Sequence, residues 1–367
     1  MIKFFLKKII LPCLVAVAAF VIMDNNARFY HEPLAIIEEA KTVEKTNLND
    51  NFGNKDIEIQ QNLTVRLLNT QQKDKVLQLK NTTNQSQVTG QLYRQNQKIL
   101  LRKSVGTMQI VGQKRDAIIV SLAVLFVGLM LSFIRWRASL FLFASLLLNL
   151  LYFVLALAFD IHFASVNALI TFSCLALVFA VSSLGFVLGF TRQMFFTLLT
   201  TILTSLLTFL LTVSVLKITG DSGVHFENMN YVTQNPTLFF FVGAIISVLG
   251  AIMDGTGDIV AGLFGLYRQN QVNAINMTQK DYIKSGMEIG KEIIGTLTNV
   301  LFMIFMAETF PMTLLLLKNG NTWNYIAGTA LNLGLLQTII SAIGIVLAVP
   351  ITAVVTSFAL RKEMINE

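Results

Sequence analysis

Residues 117–137 read AIIVSLAVLFVGLMLSFIRWR, eighteen uncharged residues closed by Arg135, Trp136 and Arg137. A helix of about 20 such residues crosses the hydrocarbon core of a bilayer, and Trp and Arg suit the headgroup level where it ends. Outward from this stretch the pattern repeats. Apolar runs follow at 138–159, 165–190, 194–216, 237–253, around 293–306 and 331–360, and one precedes at 9–23. The reading is an α-helical polytopic membrane protein of about eight transmembrane helices. Composition agrees, with 54% hydrophobic and 13% charged residues in a chain of 367, against roughly 25% charged in soluble domains. A water-soluble enzyme is excluded. Cys13 and Cys174 both lie in apolar runs, and His31, His162 and His225 are far apart, so no disulfide framework, metal site or cofactor is expected.

The first run follows Lys3, Lys7 and Lys8. It fits a signal anchor over 1–23 or a cleaved signal peptide with Ala16-x-Ala18 at its end. The anchor is preferred, because Ile22-Met23-Asp24 follows the alanines without a polar cleavage region. Residues 24–116 are the one long polar stretch, with 14 Lys/Arg against 10 Asp/Glu. Period-two alternation at Ile57-x-Ile59, Leu63-x-Val65-x-Leu67, Val76-Leu77-x-Leu79, Ile99 to Leu101 and Met108-x-Ile110, broken by turn-rich text at 81–84, predicts a small β-rich domain between helices 1 and 2. A five-strand barrel or a short sandwich would fit. The Asn-rich text around 47–54 reads as a linker, about 40–56.

Alternating sides through eight spans, with the N-terminus in the cytoplasm, puts twelve Lys/Arg inside, among them Arg135, Arg192, Arg268, Lys284 and Lys291. Only Lys217 and Lys318 fall in the short outer loops. That positive-inside bias supports cytoplasmic termini, an extracytoplasmic 24–116, a membrane domain over 117–360 and a cytoplasmic tail at 361–367. The basic excess is thus a topology signal facing a lipid bilayer, and nucleic acid is not an expected partner.

Ionisable side chains at lipid depth cost about 3 kcal/mol on insertion scales and mark functional candidates. Two segments carry most of them, with Glu308 apart near the outer end of its span. In Gly250-Ala-Ile-Met-Asp254-Gly-Thr-Gly-Asp258, the two aspartates are four apart and share a helix face. In the next helix Glu288, Glu292, Gly295 and Asn299 follow one face, with Thr296 beside it. Asp254, Asp258, Glu288, Glu292, Thr296 and Asn299 are therefore the candidates for an ion, proton or substrate path. Gly250, Gly257, Ala261 and Gly265 on the first helix, and Gly286, Gly290 and Gly295 on the second, are candidates for close helix packing. Gly255-Thr256-Gly257-Asp258 also spells the GxGD pattern of intramembrane aspartyl proteases. That chemistry needs a second Asp from another helix at equal depth; no other span offers one, so no catalytic residue is assigned.

GAIMD at 250–254, SGMEIGKEIIGTLTN at 285–299 and AVPIT at 348–352 resemble the signature region of the YibE/F-like family of bacterial multi-pass membrane proteins. A domain ahead of seven spans is similar to the longer, YibE-type member. The resemblance implies a bacterial cell-membrane location and a shorter companion membrane protein of the same family as a partner. It supplies no established activity and no oligomeric state. The leading functional expectation is a transport or export component using membrane-embedded carboxylates. The rival is a non-transporting assembly or sensing protein that binds a partner through its exported domain. Neither is an enzyme.

Overall fold

The computed structural model describes residues 2–104, 106–163, 166–229, 235–273, 275 and 277–366, with backbone alone at 2–7 and 361–366. The side chains of Lys3, Lys7, Arg361 and Lys362, and Ser165 at the start of an expected span, lie outside the described residues. The chain divides into two compact units, Met1–Leu140 and Phe141–Glu367.

In the first unit, α1 (Ile2–Asp24) and α2 (Asp116–Phe133) run together. They pack closely at Gly128, where a Cβ would stand 3.0 Å from that of Pro12. Between them in sequence lie β1 (Leu34–Asn49), β2 (Lys55–Leu67), β3 (Val76–Asn84), β4 (Lys98–Ser104) and β5 (Thr107–Gln113), in one antiparallel sheet of order β3-β2-β1-β4-β5. β1 is shared: Ala35 to Asn49 pairs with β2, while Leu34 to Ile36 also pairs with β4. The free edges β3 and β5 approach each other, so the single sheet curls towards a five-stranded barrel rather than a sandwich. Alternate β2 residues Ile59, Leu63, Val65 and Leu67 enter the core with Ile37, Ile99 and Leu101, as period two requires.

The segment 40–56 differs from the expected linker. Residues 41–49 are the second half of β1, paired to β2 as far as Asn49↔Lys55. They are exposed throughout, so nothing selects apolar residues at alternate positions and the strand leaves no hydrophobic signature. The turn itself is 50–54, where Asp50 Oδ1 accepts from the backbone N–H of Phe52 and Asn54.

Asp56, at the start of β2, fastens the β3 end. It accepts from Ser86 Oγ at 2.5 Å and Asn84 Nδ2 at 3.0 Å, and from the backbone N–H of Ile57 and Ser86. The Ser86 hydroxyl, then these other donors, hold its carboxyl down at about 2. Unfolded aspartate titrates near ~3.9, so the contribution is complete above that pH and is lost as pH falls towards 2. Carboxyl NMR titration of the wild type should find this late protonation, and Asp56→Asn should remove that segment of the acid-stability profile.

A polar knot ties α1 and α2 to the sheet. The Lys114 side chain is 1% exposed; its Nζ pairs with Asp116 Oδ1 at 2.7 Å, reaches the Met23 carbonyl and lies 5.5 Å from the Tyr30 ring centroid. Lys98 Nζ binds the Asp24 carboxylate at 2.5 Å and its carbonyl at 2.7 Å. Burial, followed by the hydrogen bond to Asp116, pushes the Tyr30 phenol up to about 12. Lys114→Ala should destabilise this unit by about 2–3 kcal/mol, less than the loss of a fully buried pair because Asp116 keeps 25% of its side chain exposed. Thermal unfolding followed through β-sheet circular dichroism reads this.

After α3 (Trp136–His162), the second unit continues with α4 (Ala168–Leu188), α5 (Arg192–Thr219), α6 (Pro236–Val272), α7 (Gln279–Lys318), the short α8 (Trp323–Thr329) and α9 (Asn332–Asn366). Among the described residues seven helices are long and apolar enough to cross a membrane: α2 to α7, and α9 over Asn332–Leu360. Local chemistry sets the ends. Asn235 caps α6 ahead of Pro236, Thr278 and Asp281 form a capping box on α7, and Gly220 closes α5 in the left-handed conformation. α9 runs through Pro350; packed neighbours make a proline tolerable inside a membrane bundle. α6 and α9 form the centre, with Ile252, Ile340 and Ala348 in one cluster and Ile259, Leu263, Tyr282 and Val349 in another.

Candidate functional site

The site is set by how α7 is rotated. A Cβ on Gly286 would stand 2.8 Å from Ala353 Cβ, and one on Gly290 would overlap the Val349 side chain. These two glycines therefore turn towards α9. On α6, a Cβ on Gly255 would meet Ile293 and Leu297 at 3.6 Å, and one on Gly262 would meet Ile289 at 2.8 Å. Contacts that rise along α6 and fall along α7 make the pair antiparallel. They place Asp254 level with the 292–297 turn.

At roughly 100° per residue, Asp254 and Asp258 on α6 fall on the flank of the pair that faces away from α9. Glu292, Thr296 and Asn299 on α7 fall on the same flank. Asp254, Asp258, Glu288, Glu292, Thr296 and Asn299 are all exposed. The two stripes therefore border one groove, open on the outside of the bundle instead of enclosed within it. At the end of the pair nearer the α6–α7 connection the groove widens to about 500 Å³ between Gly262, Gln269, Lys284, Ser285 and Glu288. Glu288 pairs with Lys291 at 2.7 Å, and Thr296 Oγ1 donates to the Glu292 carbonyl at 3.2 Å. Among the described residues no side-chain hydrogen bond or ion pair joins Asp254, Asp258 or the Glu292 carboxylate to another group.

The small residues divide into two groups. Gly286 and Gly290 sit in helix contacts, as do Gly255 and Gly262, which are not among the packing candidates read from the sequence. Gly250, Gly265 and Gly295 have no described atom within 4 Å of a built Cβ, Gly257 has only Thr197 Cγ2 at 3.9 Å, and Ala261 is exposed. The stripe of Gly250, Ala261 and Gly265 thus lies on the open flank with the aspartates, and among the described residues neither glycine makes a close helix contact.

The interior holds a polar feature that the search for charges passed over. Thr197, Thr200, Thr201, Thr204 and Thr208 on α5 are fully buried, with Thr212 nearly so. Thr201 Oγ1 lies 2.7 Å from Thr256 Oγ1 of α6. Most of the others bond back to the carbonyl one turn earlier, as Thr208 does to Thr204 at 2.8 Å. Thr204, Thr352 and Thr356 keep buried hydroxyls without partners among the described residues. The signal was present in the sequence as threonine at helical spacing over 197–212. Gln337 Nε2 donates to the Gly243 carbonyl at 3.4 Å, and Asn332 Nδ2 to that of Gly223 at 2.8 Å. His225 Nδ1 meets Glu227 Oε1 at 2.8 Å. Among the described residues no group of three His, Cys, Asp or Glu is arranged to hold a metal.

Residues 122–362 match the YibE/F-like protein family, and residues 28–113 match the YibE/F family N-terminal domain. The chain belongs to the YibE/F-like family. Both stripes and the threonine seam lie inside the first match, and the curled sheet fills the second. No curated protein and no solved structure matches the chain.

The packing makes a contrast that can be measured. Gly286→Val and Gly290→Val should each lower the thermal stability of the detergent-solubilised protein, by about 1–3 kcal/mol for overpacking. Gly265→Val, facing open space, should change it by less than about 0.5 kcal/mol.

Proposed function

We propose that this chain is one subunit of a non-enzymatic membrane transport or export assembly. In this reading Asp254 and Glu292 bind the proton or cation, and a second membrane subunit closes the groove between α6 and α7. The observation that carries the reading is the position of Asp254, midway along the 37-residue α6, on an exposed flank level with Glu292. A carboxylate at that depth costs about 3 kcal/mol on insertion scales when it meets lipid alone. A neighbouring protein surface that supplies water, a cation or hydrogen-bond donors removes that penalty. Thr296 and Asn299 extend the polar flank along α7 and would line the route. The cavity inside the bundle, between Ser205, Phe209, Thr212 and Val248, is about 20 Å³ and mostly apolar, room for one water at most. The shared flank is thus the better candidate for a path.

The second reading, a non-transporting assembly or sensing protein, draws support from the close glycine-mediated packing of α7 on α6 and α9. The two readings separate in proteoliposomes that carry the chain with whatever membrane subunit co-purifies in mild detergent. Decay of an imposed pH gradient should slow about tenfold or more in Asp254→Asn and in Glu292→Gln, with the co-purifying subunit retained. Unchanged decay in both variants, with that subunit still bound, removes transport and leaves assembly.

A further inference from the structure

The first unit carries a second site, remote in sequence from the carboxylate groove. The loop between β3 and β4, residues 85–97, is held from beneath by a buried amide network. Gln61, 4% exposed, donates to the Tyr93 carbonyl and accepts from the Tyr93 N–H, both at 3.0 Å. Asn81 Nδ2 bridges Gln61 Oε1 and the Gln91 carbonyl at 3.0 and 2.9 Å. Two side chains bracket the loop from above. Gln87 Oε1 accepts from the Leu92 N–H at 3.1 Å, and Gln97 Oε1 accepts from the Arg94 N–H at 2.9 Å. Gln87 and Asn96, near the two ends of the loop, both adopt positive φ; asparagine tolerates this conformation, whereas a glutamine keeps it only when its surroundings impose it.

This fixed loop forms one wall of a cleft of about 420 Å³, and Gln113 and Arg115 form the other. The volume is that of a small-molecule site, and the chemistry of the walls is one-sided. The carbonyl oxygens of Gln87 and Gln97 are occupied by backbone N–H groups, so their amides offer N–H donors. Arg94 and Arg115 add two guanidinium groups, and among the described residues no carboxylate pairs with either. One acceptor stands against these donors: Gln91 Oε1 is buried and has no partner among the described residues. Arg115 directly precedes α2, a helix of membrane-crossing length and apolarity, so this wall lies beside the start of a membrane span.

A surplus of donors with two positive charges calls for an oxyanion, and a lone buried acceptor calls for a hydroxyl attached to it. We propose that this cleft binds a phosphate ester with a neighbouring hydroxyl group, the chemistry of glycerol phosphate. Arg94 and Arg115 take the phosphate, the Gln87, Gln97 and Gln113 amides donate to its oxygens, and Gln91 turns its amide into the cleft so that the buried Oε1 accepts from the hydroxyl. The same chemistry exists as a free ester and as the headgroup of phosphatidylglycerol.

The test uses the full-length chain in nanodiscs of phosphatidylcholine, with calorimetric titration of sn-glycerol 3-phosphate. Saturable binding is expected, weaker by about tenfold or more in the Arg94→Gln/Arg115→Gln variant and in Gln113→Glu, which places a negative charge on the wall. Gln91→Leu should weaken glycerol phosphate and leave inorganic phosphate unchanged. In a second arm, nanodiscs containing phosphatidylglycerol are compared with phosphatidylcholine alone. A raised unfolding temperature that disappears in the double arginine variant assigns the lipid headgroup, and binding of the free ester without that rise assigns the soluble compound. The proposal is overturned if neither arm responds, or if the double arginine variant responds as the wild type does. Glycerol phosphate that binds no more tightly than inorganic phosphate, and whose affinity Gln91→Leu leaves unchanged, overturns the hydroxyl contact.

Discussion

α7 lies against α9 only because Gly286 and Gly290 have no side chains, and this contact sets the rotation of the whole helix. With those glycines turned inwards towards Ala353 and Val349, the helical repeat leaves Glu292, Thr296 and Asn299 no position except the opposite, outer flank. Gly255 and Gly262 do the same for α6, so that Asp254 and Asp258 arrive on that flank as well. The carboxylate groove is therefore a by-product of backbone contact between helices. A single methyl group in the contact would alter where the charges point.

Helices in lipid gain little from excluding water from one another, and their association relies on packing and on hydrogen bonds between them. The second unit uses both devices in different places. Glycine brings α7 onto its neighbours, while α5 presents a fully buried line of threonines whose hydroxyls mostly satisfy themselves on their own helix. Among the described residues Thr201 alone of this line is seen to reach across, to Thr256. Such a seam is polar enough to be specific and compact enough to pack. Among the described residues the buried hydroxyl of Thr204 on α5 has no partner, and neither do those of Thr352 and Thr356 on α9.

The first unit solves a different problem, the joining of a water-exposed sheet to two apolar helices. Lys98 and Lys114 reach back to the end of α1 at Asp24 and Met23, and Lys114 also holds Asp116 at the start of α2. Two charges that in the sequence look like part of a mild basic excess are thus internal fastenings. Arg94 and Arg115 differ from them in having no such carboxylate partner among the described residues.

The sequence alone determined the class of the protein, because a run such as 117–134 can satisfy its backbone in lipid only as a helix. It also determined most strands, since burying one face of a sheet requires apolar residues at every second position. β1 escaped detection altogether: its apolar start is a short run, Leu34 to Ile37, and its second half, with neither face buried, needs no periodicity. Periodicity likewise put Asp254 with Asp258, and Glu288 with Glu292 and Asn299, on common faces. Only the tertiary structure decided which way those faces turn. Residues four apart share a side of a helix whatever that helix packs against, but the direction of that side depends on contacts with partners distant in the chain, here Ala353 and Val349 on α9 and Ile289, Ile293 and Leu297 against α6.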